Sequence, residues 1–135
     1  MHNVTMADNM RRLEEISLSL PEAQRVDIEA WDGQPTFRVR GKNFVFCNAD
    51  ATSLTIKLSK PEAEAVVATE SRATAAGYGL GRHGWVAIDL SGRIDGEYWD
   101  QLEEWIYTSY TLVAPKKLAR LVLDGDASGG NPIDS

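Results

Sequence analysis

The chain has 135 residues, of which 43% are hydrophobic and 25% charged. That is enough apolar material for one core, and the length favours a single domain. A net charge of −6 repels polyanions from the surface as a whole, which excludes strong nonspecific nucleic-acid binding everywhere but leaves room for a local basic patch.

In chain order, the spacing of Met6, Met10, Leu13 and Ile16 predicts a first helix from about Met6 to Ser19. Thr5 and Asp8 stand at capping-box spacing, and Leu20-Pro21 closes the helix because the residue before proline is pushed out of the helical region. A strand is predicted from Arg25 to Trp31, with Val26, Ile28 and Ala30 on an apolar face and Arg25, Asp27, Glu29 and Trp31 on the other. Asp32-Gly33-Gln34-Pro35 reads as a turn.

A hairpin follows, Thr36 to Arg40 and Asn43 to Cys47, joined by Gly41-Lys42 as a type II′ turn. In that register Val39 faces Phe44 and Phe37 faces Phe46, so these four form one apolar layer. Arg38, Arg40, Val45 and Cys47 then project from the opposite face. The next strand, Ser53 to Ser59, turns Leu54, Ile56 and Leu58 inward and Thr55 and Lys57 outward.

Ser59 and Glu62, with Pro61 in the first turn, open a short helix to about Thr69 that buries Ala63, Val66 and Val67. Ser71 to Tyr78 has room for a short strand. Gly79-Leu80-Gly81-Arg82-His83-Gly84 then forms a shaped loop before the strand Trp85 to Leu90, where Val86, Ile88 and Leu90 oppose Trp85, Ala87 and Asp89. Asp95 caps a long helix with Trp99, Leu102, Trp105, Ile106, Tyr110 and Val113 toward the core. Pro115 interrupts it, and Lys116 to Leu123 continues as a further helix. Residues 1–123 thus read as one domain, and Asp124 to Ser135, rich in Gly, Asp and Ser, as a disordered tail. Runs of strands with tight hairpins and helices on one face give an α+β class: two layers, a mainly antiparallel sheet packed by helices.

Candidate chemistry is sparse. Two histidines, His2 and His83, and one cysteine, Cys47, do not supply metal-ligand spacing, so no metal and no cofactor is expected. Cys47 and His83 can be drawn as a nucleophile and base, but a lone cysteine on a strand packs as a small hydrophobe. Gly79, Gly81 and Gly84 spell a dinucleotide fingerprint, yet that motif needs a strand before it and a helix after it, and here a strand follows. No catalytic constellation is recognised, and the chain reads as a non-enzyme. A single cysteine permits no intrachain disulfide, no apolar run reaches the ~20 residues that span a bilayer, and Met1 to Thr5 lacks the basic and apolar pattern of a leader. A cytoplasmic protein without a membrane partner is expected.

Charge is segregated along the chain. From Thr36 to Lys60 five cations stand against Asp50, so this segment carries +4 and the remainder −10. Arg38, Arg40 and Lys57 point away from the expected apolar layer, and Trp85 lies beside Arg82 and His83. Cations with an exposed indole can hold phosphate and stack on a base. An ordinary solvated sheet face, with Trp85 covered by a helix or a partner chain, is the simpler alternative.

Several strings, in order, carry a family resemblance: Leu18-Ser19-Leu20-Pro21, Pro35-Thr36-Phe37-Arg38-Val39 before Gly41-Lys42, Gly81-Arg82-His83-Gly84-Trp85-Val86, Ser109-Tyr110, Leu112-Val113-Ala114 and Lys116. Over roughly Met10 to Leu121 the chain resembles the MmcQ/YjbR-like family of small bacterial proteins. The resemblance implies a sheet packed against helices, similar to type III secretion chaperone folds, described as a double-wing arrangement and commonly labelled DNA-binding. It implies no catalytic residues. The expectation is therefore a binding module for DNA, with Arg38, Arg40, Lys57 and Arg82 on phosphate and His83 and Trp85 on a base. The alternatives are a protein-interaction or chaperone-like module and a small-molecule binder at the Arg82, His83 and Trp85 loop. A monomer or weak dimer is expected.

Overall fold

A computed structural model describes residues 2–28, 34–77 and 79–128, with side chains described from Asp8 to Asp124 within those segments. Helix α1 (His2–Leu18) leads into strands β1 (Ala23–Ile28), β2 (Gln34–Val39), β3 (Lys42–Cys47) and β4 (Ser53–Lys57). Helix α2 (Lys60–Thr69), strand β5 (Ala73–Ala75), a 3-10 turn (Leu80–His83), strand β6 (Trp85–Asp89) and helices α3 (Gly96–Val113) and α4 (Lys116–Ser128) follow. All strand pairs are antiparallel, in the order β1-β2-β3-β4-β6-β5. The fold is α+β, with the helices on one face of the sheet.

Local chemistry sets several boundaries. Ser59 Oγ accepts from the Glu62 N–H at 3.3 Å, and Asp95 Oδ1 accepts from the Tyr98 N–H at 2.8 Å, so both helices begin at capped residues. Ala114, before Pro115, is extended and ends α3. Helix α1 starts earlier than its periodicity suggests, at His2. Thr5 is therefore inside the helix rather than its cap, and Asp8 pairs with Arg11 one turn on. Helix α4 runs through Ser128, so positions 124–128 of the expected tail are helical. Leu118 and Val122 anchor this helix to the core, and its last turns extend an already nucleated helix. Residues 129–135, and Glu29, Ala30 and Trp31 of the expected first strand, lie outside the described residues.

The core lies between sheet and helices. Phe37, Val39, Phe44, Val45, Leu54, Ile56, Val86 and Ile88 meet Leu13, Leu102, Ile106 and Tyr110, all fully buried. Each such side chain contributes about 1.5–3 kcal/mol by leaving water. Tyr110 packs edge-on to Phe44 at 5.2 Å and donates its hydroxyl to the Pro21 carbonyl at 2.7 Å.

The β2–β3 hairpin departs from the expected register. Val39 pairs with Lys42, so the loop is Arg40-Gly41, and both residues have positive φ (52° and 81°) as a type I′ turn requires. A bulge follows: Arg38 pairs with Asn43 and Phe37 with Val45, leaving Phe44 as the extra residue. Thr36 then opposes Phe46. One shifted residue and one bulge move Val45 and Cys47 into the core and turn Phe46 out of the apolar layer, onto the opposite face with Arg38.

The bulge breaks the β3–β4 ladder after Val45↔Ile56. The Phe44 carbonyl and the Lys57 N–H are left without each other. Ser109 of α3, fully buried, supplies both partners: its hydroxyl donates to the Phe44 carbonyl at 2.7 Å and accepts from the Lys57 N–H at 2.9 Å. This seals the sheet where it would otherwise hold two orphaned buried groups.

Strand β1 also reverses the expected faces. Arg25 pairs with Phe37 in register and reaches α1, where its guanidinium donates to Glu14 at 2.7 Å. Val26, opposite Thr36, lies on the face away from the helices. The Glu14 and Asp27 carboxylates allow the Arg25 cation to face the helix layer, so charge did not mark the outer face here.

Candidate nucleic-acid interface

The glycine loop is a backbone device. Gly79 and Gly84 have φ of 79° and 92° and bracket the 3-10 turn. The Gly84 carbonyl accepts from the Leu58 N–H at 2.8 Å. A Cβ on Gly84 would lie 2.1 Å from the Leu58 carbonyl oxygen. Gly84 therefore lets the chain cross the end of β4 before β6 begins. The turn presents Arg82 and His83 on its outside, both exposed.

Register then places the remaining candidates. On the face away from the α3 helix, Arg38 pairs with Asn43 across β2 and β3, and Lys57 pairs with Trp85 across β4 and β6, the two pairs lying on either side of the bulge. One row of that face runs Val26, Thr36, Phe46, Thr55, Ala87 and Thr74. Phe46 and Trp85 meet across β4, ring centroids 5.2 Å apart and planes at 58°, both half-buried. Phe46 is the residue that sequence reasoning missed, because strict alternation from the wrong turn assigned it to the core. Thr36 lies buried beneath Arg38: its hydroxyl accepts from Arg38 Nε at 3.2 Å and donates to the Val26 carbonyl at 2.6 Å. That contact holds the start of the Arg38 guanidinium over the sheet.

Among the described residues no carboxylate pairs with Arg38, Lys57, Arg82 or His83. Asp89, at the far end of β6, shares this face, and hydrogen bonds from Ser91 hold its carboxyl below the usual range. Arg40 does not join the row. It sits in the hairpin turn, and its guanidinium donates to Glu22 at 2.6 and 3.0 Å. That paired acid neutralises it, and the Glu22 carboxyl is held below its ordinary value chiefly by the same hydrogen bond.

Cys47 and His83 are not brought together. Cys47 pairs with Leu54 on the helix-covered face, whereas His83 precedes the strand end at which Trp85 pairs with Lys57. Burial pushes the Cys47 thiol up to about 12, so it is protonated at neutral pH. Among the described residues no group of three or more His, Cys, Asp or Glu side chains is placed to hold a metal ion.

A groove of about 310 Å³ runs beside the glycine loop, between α2 and the β5–β6 edge. Ala63, Val67, Ala75 and Trp85 give it an apolar wall, with Lys60, Glu64 and Arg82 at its margins. Arg82 and Trp85 line it; His83 does not. No helix among the described residues is long and apolar enough to cross a membrane.

The YjbR family model matches residues 18–112, which includes β1 to β6 and nearly all of α3. In three dimensions the chain is similar to the crystal structure of Deinococcus radiodurans protein DR2400, described by the domain family DUF419. The TM-score is 0.64 at 21% identity, over 82% of this chain and 84% of the other. No curated protein matches the sequence. At that identity the structural likeness speaks for the fold alone.

Proposed function

The chain belongs to the YjbR family, and from that footing we propose that it is a DNA-binding module, not an enzyme, working through the open face of its sheet. The observation that carries this reading is the Phe46–Trp85 pair, which shares its sheet face with Lys57 and Arg38. Lys57 and Arg38 lie two strand spacings apart, about 10 Å, and Arg82 stands one loop away. These three contact phosphate; Trp85 and Phe46 contact bases, and His83 an adjacent group. Arg40 has no part in it, because Glu22 already occupies its fork.

Fluorescence anisotropy with labelled DNA tests this directly. At about 50 mM salt the protein binds, and affinity falls as salt rises, because neutralised phosphates release counterions. Lys57→Gln and Arg38→Gln each weaken binding and flatten the salt slope by about one unit, while Arg40→Gln leaves both unchanged. No binding at low salt, or equal losses from Arg40→Gln and Lys57→Gln, contradicts the proposal.

The groove beside the loop supports a second reading, a small-molecule site using Arg82 and Trp85. Its volume is at the lower end of the range for ligand pockets. A small ligand that protects the protein thermally, and loses that effect in Arg82→Gln but not in Arg38→Gln, would favour it.

A further inference from the structure

We propose that the open face is built for single-stranded rather than duplex DNA, an inference that rests on the DNA-binding reading above. Three observations carry it. The first is the aromatic pair. Phe46 and Trp85 stand half-buried on a sheet face, with their rings tilted at 58° to each other. A duplex hides the faces of its bases inside the stack, so such rings meet nothing there. A single strand can lay a base against them.

The second is shape. Helix α3 packs on the other face, and α2 reaches this one only at the β5–β6 edge beside Trp85, so no described helix projects across it as a reading head. From β2 to β6 the sheet spans three strand spacings, about 14 Å, wider than the roughly 12 Å major groove. A helix or a two-stranded ribbon enters that groove; a sheet four strands across does not. It is a platform across which an unpaired strand can lie.

The third is charge. Among the described residues Arg38, Lys57 and Arg82 have no carboxylate partner, on a chain of net charge −6. Three phosphate contacts are few for a duplex-binding surface, where 6–10 contacts are common in strongly salt-dependent binders. Stacking adds roughly 5- to 150-fold in affinity per base and needs no further charge. Thr55 stands between Phe46 and Ala87 as a neutral polar group, and Asp89 lies at the far end of the face.

The test is a pair of anisotropy titrations at the same low salt. One uses a labelled thymidine oligomer of roughly 12 nucleotides; the other uses its duplex with adenosine. The expected result is tighter binding of the single strand by about tenfold or more, with a log–log salt slope near −2 for three contacts. Phe46→Leu and Trp85→Leu each weaken single-strand binding about 5- to 150-fold, while Arg40→Gln leaves it unchanged. Thermal melting confirms that the variants are folded. Should Trp85→Leu fail to fold, Phe46→Leu and quenching of tryptophan fluorescence by the oligomer in wild type carry the test. Duplex binding equal to or tighter than single-strand binding overturns the single-strand assignment and leaves the DNA reading standing. So do folded Phe46→Leu and Trp85→Leu variants that hold the single strand as wild type does. No binding of either form overturns the DNA reading itself.

Discussion

Ser109 shows how one hydroxyl can decide whether a sheet closes. It sits at the bulge with no exposed surface and satisfies one donor and one acceptor of two different strands. Removing it leaves the Lys57 N–H and the Phe44 carbonyl buried and unpaired. Each such group costs ≈ 1–3 kcal/mol, so Ser109→Ala is expected to destabilise the protein by about 2–4 kcal/mol in urea unfolding. A loss below about 0.5 kcal/mol would mean that water or a backbone shift replaces the hydroxyl. Cys47 illustrates the opposite case, a chemically suggestive residue whose setting disarms it. Its folded-state value is raised by burial from 9.0 to about 12. The stability gained by keeping the thiol neutral is therefore complete below about pH 9 and is lost as pH rises from there toward 12. At pH 8 a thiol reagent should label Cys47 in the unfolded chain and leave it unlabelled in the native one. Rapid native labelling would show the thiol to be accessible and reopen a reactive role.

The order of helices and strands was legible in the sequence, because capping residues, proline stops and hydrophobic periodicity are local signals. Ser59, Asp95 and Pro115 act as they read. What was not legible is the register of the β2–β3 hairpin. Gly41 serves either as the first residue of a type II′ turn or as the second of a type I′ turn, and the latter asks Arg40 to adopt φ of 52°. A non-glycine residue there is costly, and its bidentate pair with Glu22 offsets part of that cost. The bulge at Phe44 depends on Ser109, 65 residues away, and no local pattern announces it. These two shifts moved Phe46 from the expected core to the open face and removed Arg40 from it. Of the candidate residues, Arg38, Lys57 and Trp85 stand where alternation placed them. Arg82 and His83 stand on the loop that the glycines announced. Gly84 was legible as a turn residue; that its reason is the Leu58 carbonyl, 2.1 Å from where a Cβ would sit, required the fold.

Across the whole molecule, the six-stranded sheet gives the protein two unlike faces. One is dry and covered by helices. The other carries the two aromatic rings, Arg38 and Lys57, which have no carboxylate partner among the described residues, and a border of threonines, on a chain whose net charge is −6. The acidic remainder limits nonspecific binding elsewhere, so any DNA contact should be confined to that face. The basic start of α4, Lys116 and Lys117, is the competing location, and the YjbR match ends before it. Backbone amide chemical-shift mapping, with a single-stranded oligomer titrated at about 50 mM salt, separates the two. The account predicts progressive shifts at Asn43, Phe46, Thr55, Lys57, Trp85 and Ala87, together with the Trp85 indole N–H. Shifts confined to Lys116–Arg120, or an unperturbed Trp85 indole at saturation, would contradict it.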